Sequence, residues 1–185
     1  MDIFHWVAVV LSTMLGLGIA RLLTGFVIAF KSRHRGGIDW LPLSVAGIVL
    51  GEILQFWWAL AELATRPGWS LGDFSFLVLL VMLLFLAAAL IVPTDTDVTN
   101  PSEAFARDGR WALLLLALYH GVAIAANGWF WNSPLRSVGT LLVALLAVTS
   151  AAGALAPGRA AQSAVVVLYC VLAVAGVIIL SPIRY

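Results

Sequence analysis

Long runs of apolar residues alternate with short polar segments along the whole chain. Each run is long enough to cross the hydrocarbon core of a bilayer as an α-helix, which takes about 20 residues. The runs do not show the alternation of apolar and polar residues that is typical of a membrane β-barrel. The pattern therefore predicts an all-α integral membrane protein, a single domain (residues 1–185) of six transmembrane helices over residues 4–30, 40–64, 71–92, 111–131, 135–155 and 163–180.

Signals for helix starts lie in the polar segments between these runs. Asn100 followed by Pro101 is a helix-start signature, so we expect a short interfacial helix over residues 101–108 before helix 4. Ser70 and Asp73 match a capping box, in which each residue bonds the backbone of the other. We therefore expect Asp73 to be a helix-start residue.

The third predicted helix is apolar on all sides. From Phe74 to Ile91 it carries no charge and a single hydroxyl, at Ser75. We expect such a helix to contact lipid or a second copy of the chain. The expected partners are therefore the lipid bilayer, other copies in a homo-oligomer, and a further protein partner of unidentified type.

The composition excludes a water-soluble globule. Hydrophobic residues make up 63% of the chain, charged residues 10%, and the mean hydropathy is +1.06. A soluble domain carries about 25% charged residues. The net charge of +1 and the scattered basic residues give no reason to expect a nucleic-acid partner.

The basic residues predict how the chain is threaded. A cluster between Lys31 and Arg35 follows helix 1, where it fits the positive-inside rule; a patch that binds lipid headgroups is the alternative. Three further Lys or Arg residues lie on the same side, against three on the other side, at 66, 136 and 184. We therefore expect a multi-pass protein with both termini outside. The more basic loops are residues 31–39, 93–110 and 156–162.

The sequence contains no recognisable cofactor, metal or enzyme motif. Cys170 is the single cysteine, so no Cys/His cluster is available. Asp95 and Asp97 lack the remaining spacing of an EF-hand loop, and we expect them in a solvated turn. The motifs GxSxG, HExxH, GxGxxG and the Walker loop are absent. We expect no cofactor, no metal and no enzymatic activity.

Small residues recur every four positions in two of the predicted helices. Ser12, Gly16 and Ala20 share one face of helix 1, and Gly47 and Gly51 form a GxxxG pair in helix 2. Such stripes let two membrane helices approach closely. We expect the two stripes to form a helix-packing seam between helices 1 and 2.

A small set of polar residues lies inside the predicted helices. Arg21, Glu52 and His120 are each about 14–17 Å from the same predicted membrane boundary. An isolated charge at this depth costs about 2.5–3.5 kcal/mol, and pairing reduces that cost. We expect an Arg21–Glu52 ion pair, joined by His120, which changes charge near neutral pH. Gln55 and Asn127 complete the predicted intramembrane polar site.

Each of these residues also has a structural interpretation. Arg21 can instead extend its guanidinium to the membrane surface. Glu52 is then protonated, or bonded to Gln55 or a backbone group, and His120 is a packing residue. These alternatives stay open at the level of sequence.

Tryptophans mark the predicted membrane boundaries. Trp40 and Trp111 fall at the inner boundary, and the other six fall at or near the outer one. This is the distribution of an aromatic belt. Alternatively, Trp57-Trp58 and the aromatic group at 129–131 line an outer vestibule.

Three function classes fit this sequence. The first is a small channel or transporter for a proton, an ion or a small solute, with a polar centre at Arg21, Glu52 and His120. The second is a non-catalytic membrane subunit or scaffold whose buried Arg21–Glu52 pair is structural. The third is a sensor or lipid-handling protein that uses the loop at 93–110 or the outer tryptophan groups. The segment LGLGIARLL followed by Trp57-Trp58 resembles small bacterial membrane proteins, which implies the inner membrane.

Overall fold

The computed structural model describes residues 3–36, 38–91 and 101–180. Within them the chain forms six long helices, each long and apolar enough to cross a membrane. A 3-10 helix, Ala61–Thr65, continues the second of them. The prediction of an all-α, multi-pass membrane protein is therefore confirmed. The helices are α1 (Ile3–Gly36), α2 (Trp40–Leu60), α3 (Leu71–Ile91), α4 (Pro101–Phe130), α5 (Val138–Leu155) and α6 (Arg159–Leu180).

Helix α4 is longer than predicted because its first turns are continuous with the membrane span. Residues 101–108 are helical as expected, but they belong to α4 and are not a separate interfacial helix. Gly109 has the lowest helix propensity in this stretch after Pro101. The ring of Phe105 packs against it. A Cβ at Gly109 would lie 2.6 Å from that ring. Phe105 is buried in the hydrophobic core, so its ring anchors the first turns of α4 to the bundle.

Two predictions concern residues at the limits of the description. The turn predicted for Asp95 and Asp97 lies outside the described residues. Helix α1 ends at Gly36 rather than near Phe30. At about 1.5 Å per residue α1 is longer than a bilayer core is thick, so its basic last turns extend beyond the apolar layer.

Contacts between helix ends define the two ends of the bundle. Trp129, near the end of α4, donates to Asp73 at the start of α3. Arg159, at the start of α6, forms an ion pair with Asp39, which precedes α2. Neighbouring helices in the chain therefore run in opposite directions. We call the end that carries Asp73 and Trp129 the aromatic end, and the end that carries Asp39 and Arg159 the basic end.

The carboxylate of Asp73 ties the aromatic end together. Its Oδ2 accepts from the Ser70 backbone N–H at 2.9 Å, and the Asp73 N–H donates to Ser70 Oγ at 3.0 Å, which confirms the predicted capping box. Its Oδ1 also accepts from Arg66 at 3.1 Å and from the Trp129 indole at 2.7 Å. One side chain therefore joins the α2–α3 loop, α3 and α4.

Helix α3 lies in the core of the bundle. It packs against α1, α2 and α4, and nine of its residues are buried. The expected contact with lipid or a second copy is limited to one exposed stripe, which contains Leu79, Met82, Leu86 and Leu90. A helix that is apolar on all sides suits a central position, because every neighbouring helix offers it an apolar surface.

Helices α1 and α2 approach each other at a different place from the predicted seam. At Gly16, Gly47 and Gly51, no atom lies within 4 Å of the position that a Cβ would take. The close approach is instead at Gly18, where a Cβ would lie 3.1 Å from Ile53 Cδ1.

The leucines of α1 explain this rotation. Lipid is as apolar as the protein core, so α1 gains stability from close packing, in which large side chains make more contacts than glycine or alanine. The inward face of α1 carries a row of branched side chains that pack into the bundle, and Gly16 and Ala20 of the predicted stripe turn towards the surface. Ser12 still reaches α2, where it accepts from the Trp57 indole at 3.1 Å. The inward face includes Val7, Leu11, Leu15, Gly18 and Leu22.

The position of the close approach predicts opposite outcomes for two glycines of α1. Replacing Gly18 with Leu should destabilise the protein by about 1–3 kcal/mol, because the new side chain collides with Ile53. Replacing Gly16 with Leu should leave stability unchanged or slightly raised. Thermal unfolding in detergent measures both, and equal midpoints for the two variants would contradict this packing.

The bonds of Asp73 predict a second effect on stability. Asp73→Ala removes the capping bonds and leaves Arg66 and Trp129 without this acceptor, so unfolding should become easier by about 1–3 kcal/mol. The matched control is Asp108→Ala, which removes an exposed ion pair with Arg107 and should cost about 0–1 kcal/mol. A control as damaging as Asp73→Ala would refute the assigned role.

Candidate functional site

Three polar side chains from three helices meet in the middle of the bundle. Glu52 Oε1 accepts from the Tyr169 hydroxyl at 2.8 Å and lies 3.1 Å from His120 Nε2. All three side chains are buried. The rings of His120 and Tyr169 meet edge to face, with centroids 5.9 Å apart. Helices α2, α4 and α6 are therefore connected through a single carboxylate oxygen, and we call Glu52, His120 and Tyr169 the polar centre.

Contacts at the basic end hold α2 and α6 in the register that the polar centre needs. The ion pair of Asp39 with Arg159 joins the first turns of these two helices. Asp39 Oδ1 also caps α2 by accepting from the Leu41 N–H at 3.1 Å. From these joined starts the two helices rise in parallel, so that Glu52 and Tyr169 reach the same depth.

The hydrogen bonds of His120 determine where its protons lie. Its Nδ1 is 2.6 Å from the carbonyl oxygen of Leu116. A carbonyl oxygen can only accept, so Nδ1 carries a proton. The contact between Nε2 and Glu52 Oε1 then needs one further proton, because otherwise two lone pairs would face each other. That proton lies either on Nε2, beside a carboxylate, or on Oε1, beside a neutral imidazole; in both cases the pair has no net charge.

The second oxygen of the Glu52 carboxylate, Oε2, differs from Oε1 in its hydrogen bonding. Oε2 is buried and accepts no hydrogen bond from the residues that the structure describes. A buried polar atom without a hydrogen bond costs about 1–3 kcal/mol. Because native structures satisfy nearly all such groups, an exception marks a place for water, an ion or a ligand.

Glu52 lies on the wall of a large cavity enclosed mainly by α2, α4, α5 and α6. Its volume is about 550 Å³, within the range of about 300–1,000 Å³ that is usual for ligand sites. Gly47 and Gly51 widen it, since their missing side chains leave space along α2. Trp58 and Val174 line the cavity and are both exposed, so the cavity reaches the surface of the bundle.

The structure brings four of the predicted polar residues to this one cavity. Glu52, Gln55, His120 and Asn127 all line it. The fifth, Arg21, lies elsewhere.

Arg21 contacts α3 rather than the polar centre. Its guanidinium donates to the carbonyl oxygen of Ala89 at 2.9 Å. The partners of the Glu52 carboxylate are His120 and Tyr169, so the expected Arg21–Glu52 pair is not formed. The predicted depth was close, because α1 meets α2 at Gly18, within about one helical turn of Arg21. The difference lies in the rotation of each helix about its own axis.

Sequence reasoning did not identify Tyr169. The available signal was a lone phenol in an otherwise apolar helix, since a hydroxyl in hydrocarbon needs a hydrogen-bond partner. The two interpretations of the outer tryptophans both apply in part. Trp58 and Trp131 line the cavity, whereas Trp57 and Trp129 bond neighbouring helices.

The polar centre predicts different roles for two neighbouring tyrosines. Tyr169→Phe removes the hydroxyl that bonds Glu52 and should lower the free energy of unfolding by about 1–3 kcal/mol. Tyr119→Phe is the matched control, because Tyr119 lines the cavity without a hydrogen bond to Glu52. Thermal unfolding in detergent tests both, and an equal loss in the two variants would contradict the geometry.

Comparisons with known proteins complete the description of the site. Among residues 3–36, 38–91 and 101–180, no group of three or more His, Cys, Asp and Glu side chains is placed to hold a metal ion. No protein-family model matches the chain, and neither curated protein sequences nor solved structures show a significant match to it.

Proposed function

We propose that the protein is a small, non-enzymatic membrane transporter that binds its solute in the 550 Å³ cavity and binds a proton at the Glu52–His120 pair. One observation carries this proposal. Glu52 Oε2 is buried at the cavity wall without a hydrogen bond, so a charged or polar group of a ligand would be stabilised there. Gln55 and Asn127 supply further polar groups along the same cavity.

Packing beyond the polar centre supports a gated transporter over an open channel. Towards the basic end, Leu113 and Leu116 of α4 and Val166 of α6 are buried. They close the interior below His120 and Tyr169 with apolar side chains. A solute that reaches Glu52 would then need a change in helix packing before it could leave on the other side.

A scaffold role fits these observations less well. A purely structural polar centre predicts a close-packed core in which every buried polar atom is satisfied. The cavity and the unbonded oxygen of Glu52 both depart from that expectation. For this reason we favour transport.

The proposed setting is a cell membrane, such as the bacterial inner membrane, with both termini outside. The excess of basic residues in the last turns of α1, the first turns of α4 and the start of α6 supports this orientation. The cavity would then open towards the outside. A homo-oligomer would have the outward face of α1 available, where Gly16 and Ala20 are exposed and permit close helix contact.

Transport predicts that Glu52→Gln abolishes solute-driven proton movement. Protein in liposomes that contain a pH-sensitive dye is exposed to gradients of a cationic, a neutral or an anionic small solute. At least one class should change the internal pH, and Glu52→Gln should reduce the rate about tenfold or more, because an amide cannot carry the proton.

The control for this experiment is Asp108→Asn, a carboxylate whose exposed partner is Arg107. It should transport like the wild type. Elution and thermal unfolding show whether Glu52→Gln is folded. If no solute class produces a pH change that distinguishes wild type from empty liposomes, the transport proposal is wrong.

A further inference from the structure

The cavity has an unbalanced set of charged residues. Glu52 and Glu62 line it, together with His120, and none of the described lining residues is Lys or Arg. The membrane interior strongly disfavours an unpaired charge. An anionic group at the depth of Glu52 would therefore meet that carboxylate and no Lys or Arg from the described lining, whereas a cation would meet a group of opposite charge.

Aromatic rings form part of the remaining surface of the cavity. Phe56, Trp58, Tyr119 and Trp131 line it. The face of an aromatic ring attracts a cation by about 0.5–2 kcal/mol, and most strongly where water is excluded. The same rings provide an apolar surface for the body of a ligand. The carboxylate and the aromatic rings of the cavity thus both favour a cation with an apolar body.

The Glu52–His120 pair holds a proton that can leave when a cation binds. The pair is neutral while it holds the proton shared between Oε1 and Nε2. Tyr169 donates to the same oxygen, and Leu116 fixes the proton on His120 Nδ1. A cation that reaches Oε2 favours the carboxylate form of Glu52, and the shared proton is then the positive charge that can leave.

We propose that the cavity binds a monovalent organic cation with an apolar or aromatic body, in exchange for the proton of the Glu52–His120 pair. One positive charge enters and one proton leaves to water, so the net charge of the site is unchanged. After the exchange, the Glu52 carboxylate faces the cation, and His120 is neutral with its proton on Nδ1. The contact between Nε2 and Oε1, which needs the departed proton, is then lost. This inference rests on the transport proposal and names its substrate class.

Among the residues that the structure describes, no other ionisable side chain near the pair supplies a competing positive charge. Helix α5 contains no ionisable residue, and the only one in α3, Asp73, lies at the aromatic end with Arg66. On α1, Arg21 is held by the carbonyl of Ala89. The ionisable groups around the pair are Tyr119 from α4 and Tyr169 and Cys170 from α6, and Glu62 lines the same cavity ten residues further along the chain than Glu52.

Two probes of equal shape and opposite charge test this proposal. Purified protein in detergent is titrated with tetraphenylphosphonium or with tetraphenylborate, and the fluorescence of Trp58 and Trp131 at the cavity reports binding. The phosphonium should bind and release about one proton per cation in weakly buffered solution. Its apparent Kd should rise about tenfold per unit fall in pH while the pair holds its proton. The borate should not bind at this site.

Two variants test whether proton release and phosphonium binding depend on the Glu52–His120 pair. Glu52→Gln should lose proton release and weaken phosphonium binding about tenfold or more, because the charge at Oε2 is gone. Asp108→Asn, an exposed carboxylate on the same helix as His120, should behave like the wild type. Because proton release and its pH dependence are measured on the wild type, the test holds even if Glu52→Gln does not fold.

The possible outcomes separate this inference from the proposal on which it rests. Phosphonium binding without proton release, or equal binding of the borate, would overturn the cation–proton exchange. If only neutral or anionic solutes change the internal pH of the liposomes, transport stands and the substrate class is wrong. If phosphonium binds with proton release but no solute moves protons in liposomes, the binding site stands and transport is wrong.

Discussion

A carboxylate in the middle of a membrane has to be neutralised, and the bundle is arranged around that requirement. Glu52 meets it by sharing a proton with His120 and accepting a hydrogen bond from Tyr169. The charged form of either partner alone would cost several kcal/mol in hydrocarbon. Because the three groups come from α2, α4 and α6, the need for a neutral pair determines how these helices face one another. The region between them can then stay loosely packed.

Polar contacts at both ends of the bundle make this loose middle possible. Asp73 joins three elements at the aromatic end, and Asp39 joins the starts of α2 and α6 at the basic end. Both carboxylates have a basic partner, Arg66 in one case and Arg159 in the other. With the helix ends held, α2 can stand away from α5 and leave the cavity open without separating from the bundle.

The lengths of the apolar runs predicted the number of helices and the depth of their polar residues. The rotation of each helix about its own axis was not predicted. Apolar runs specify how many helices cross the membrane, and the helical rise gives depth, so the similar levels of Glu52 and His120 were predictable. Which way a helix turns was harder to predict, because lipid is as apolar as the protein core and membrane helices lack a clear polar face. Arg21 has a suitable depth for Glu52 but faces α3. For the same reason Gly16 and Ala20 of α1 lie outside, whereas Leu11, Leu15 and Leu22 lie inside.

Substitutions at the glycines that line the cavity would change its shape without changing the contacts that stabilise the fold. At Gly47 and Gly51 of α2 an added Cβ atom would have no neighbour within 4 Å. Methyl or hydroxymethyl groups at these positions would narrow the cavity from one wall while the contacts of Glu52, His120 and Tyr169 stayed in place. Single substitutions on α2 could therefore change the size of the cavity while helix packing stays intact. The wall of α2 is in this sense the adaptable part of the molecule, and the polar centre is its fixed part.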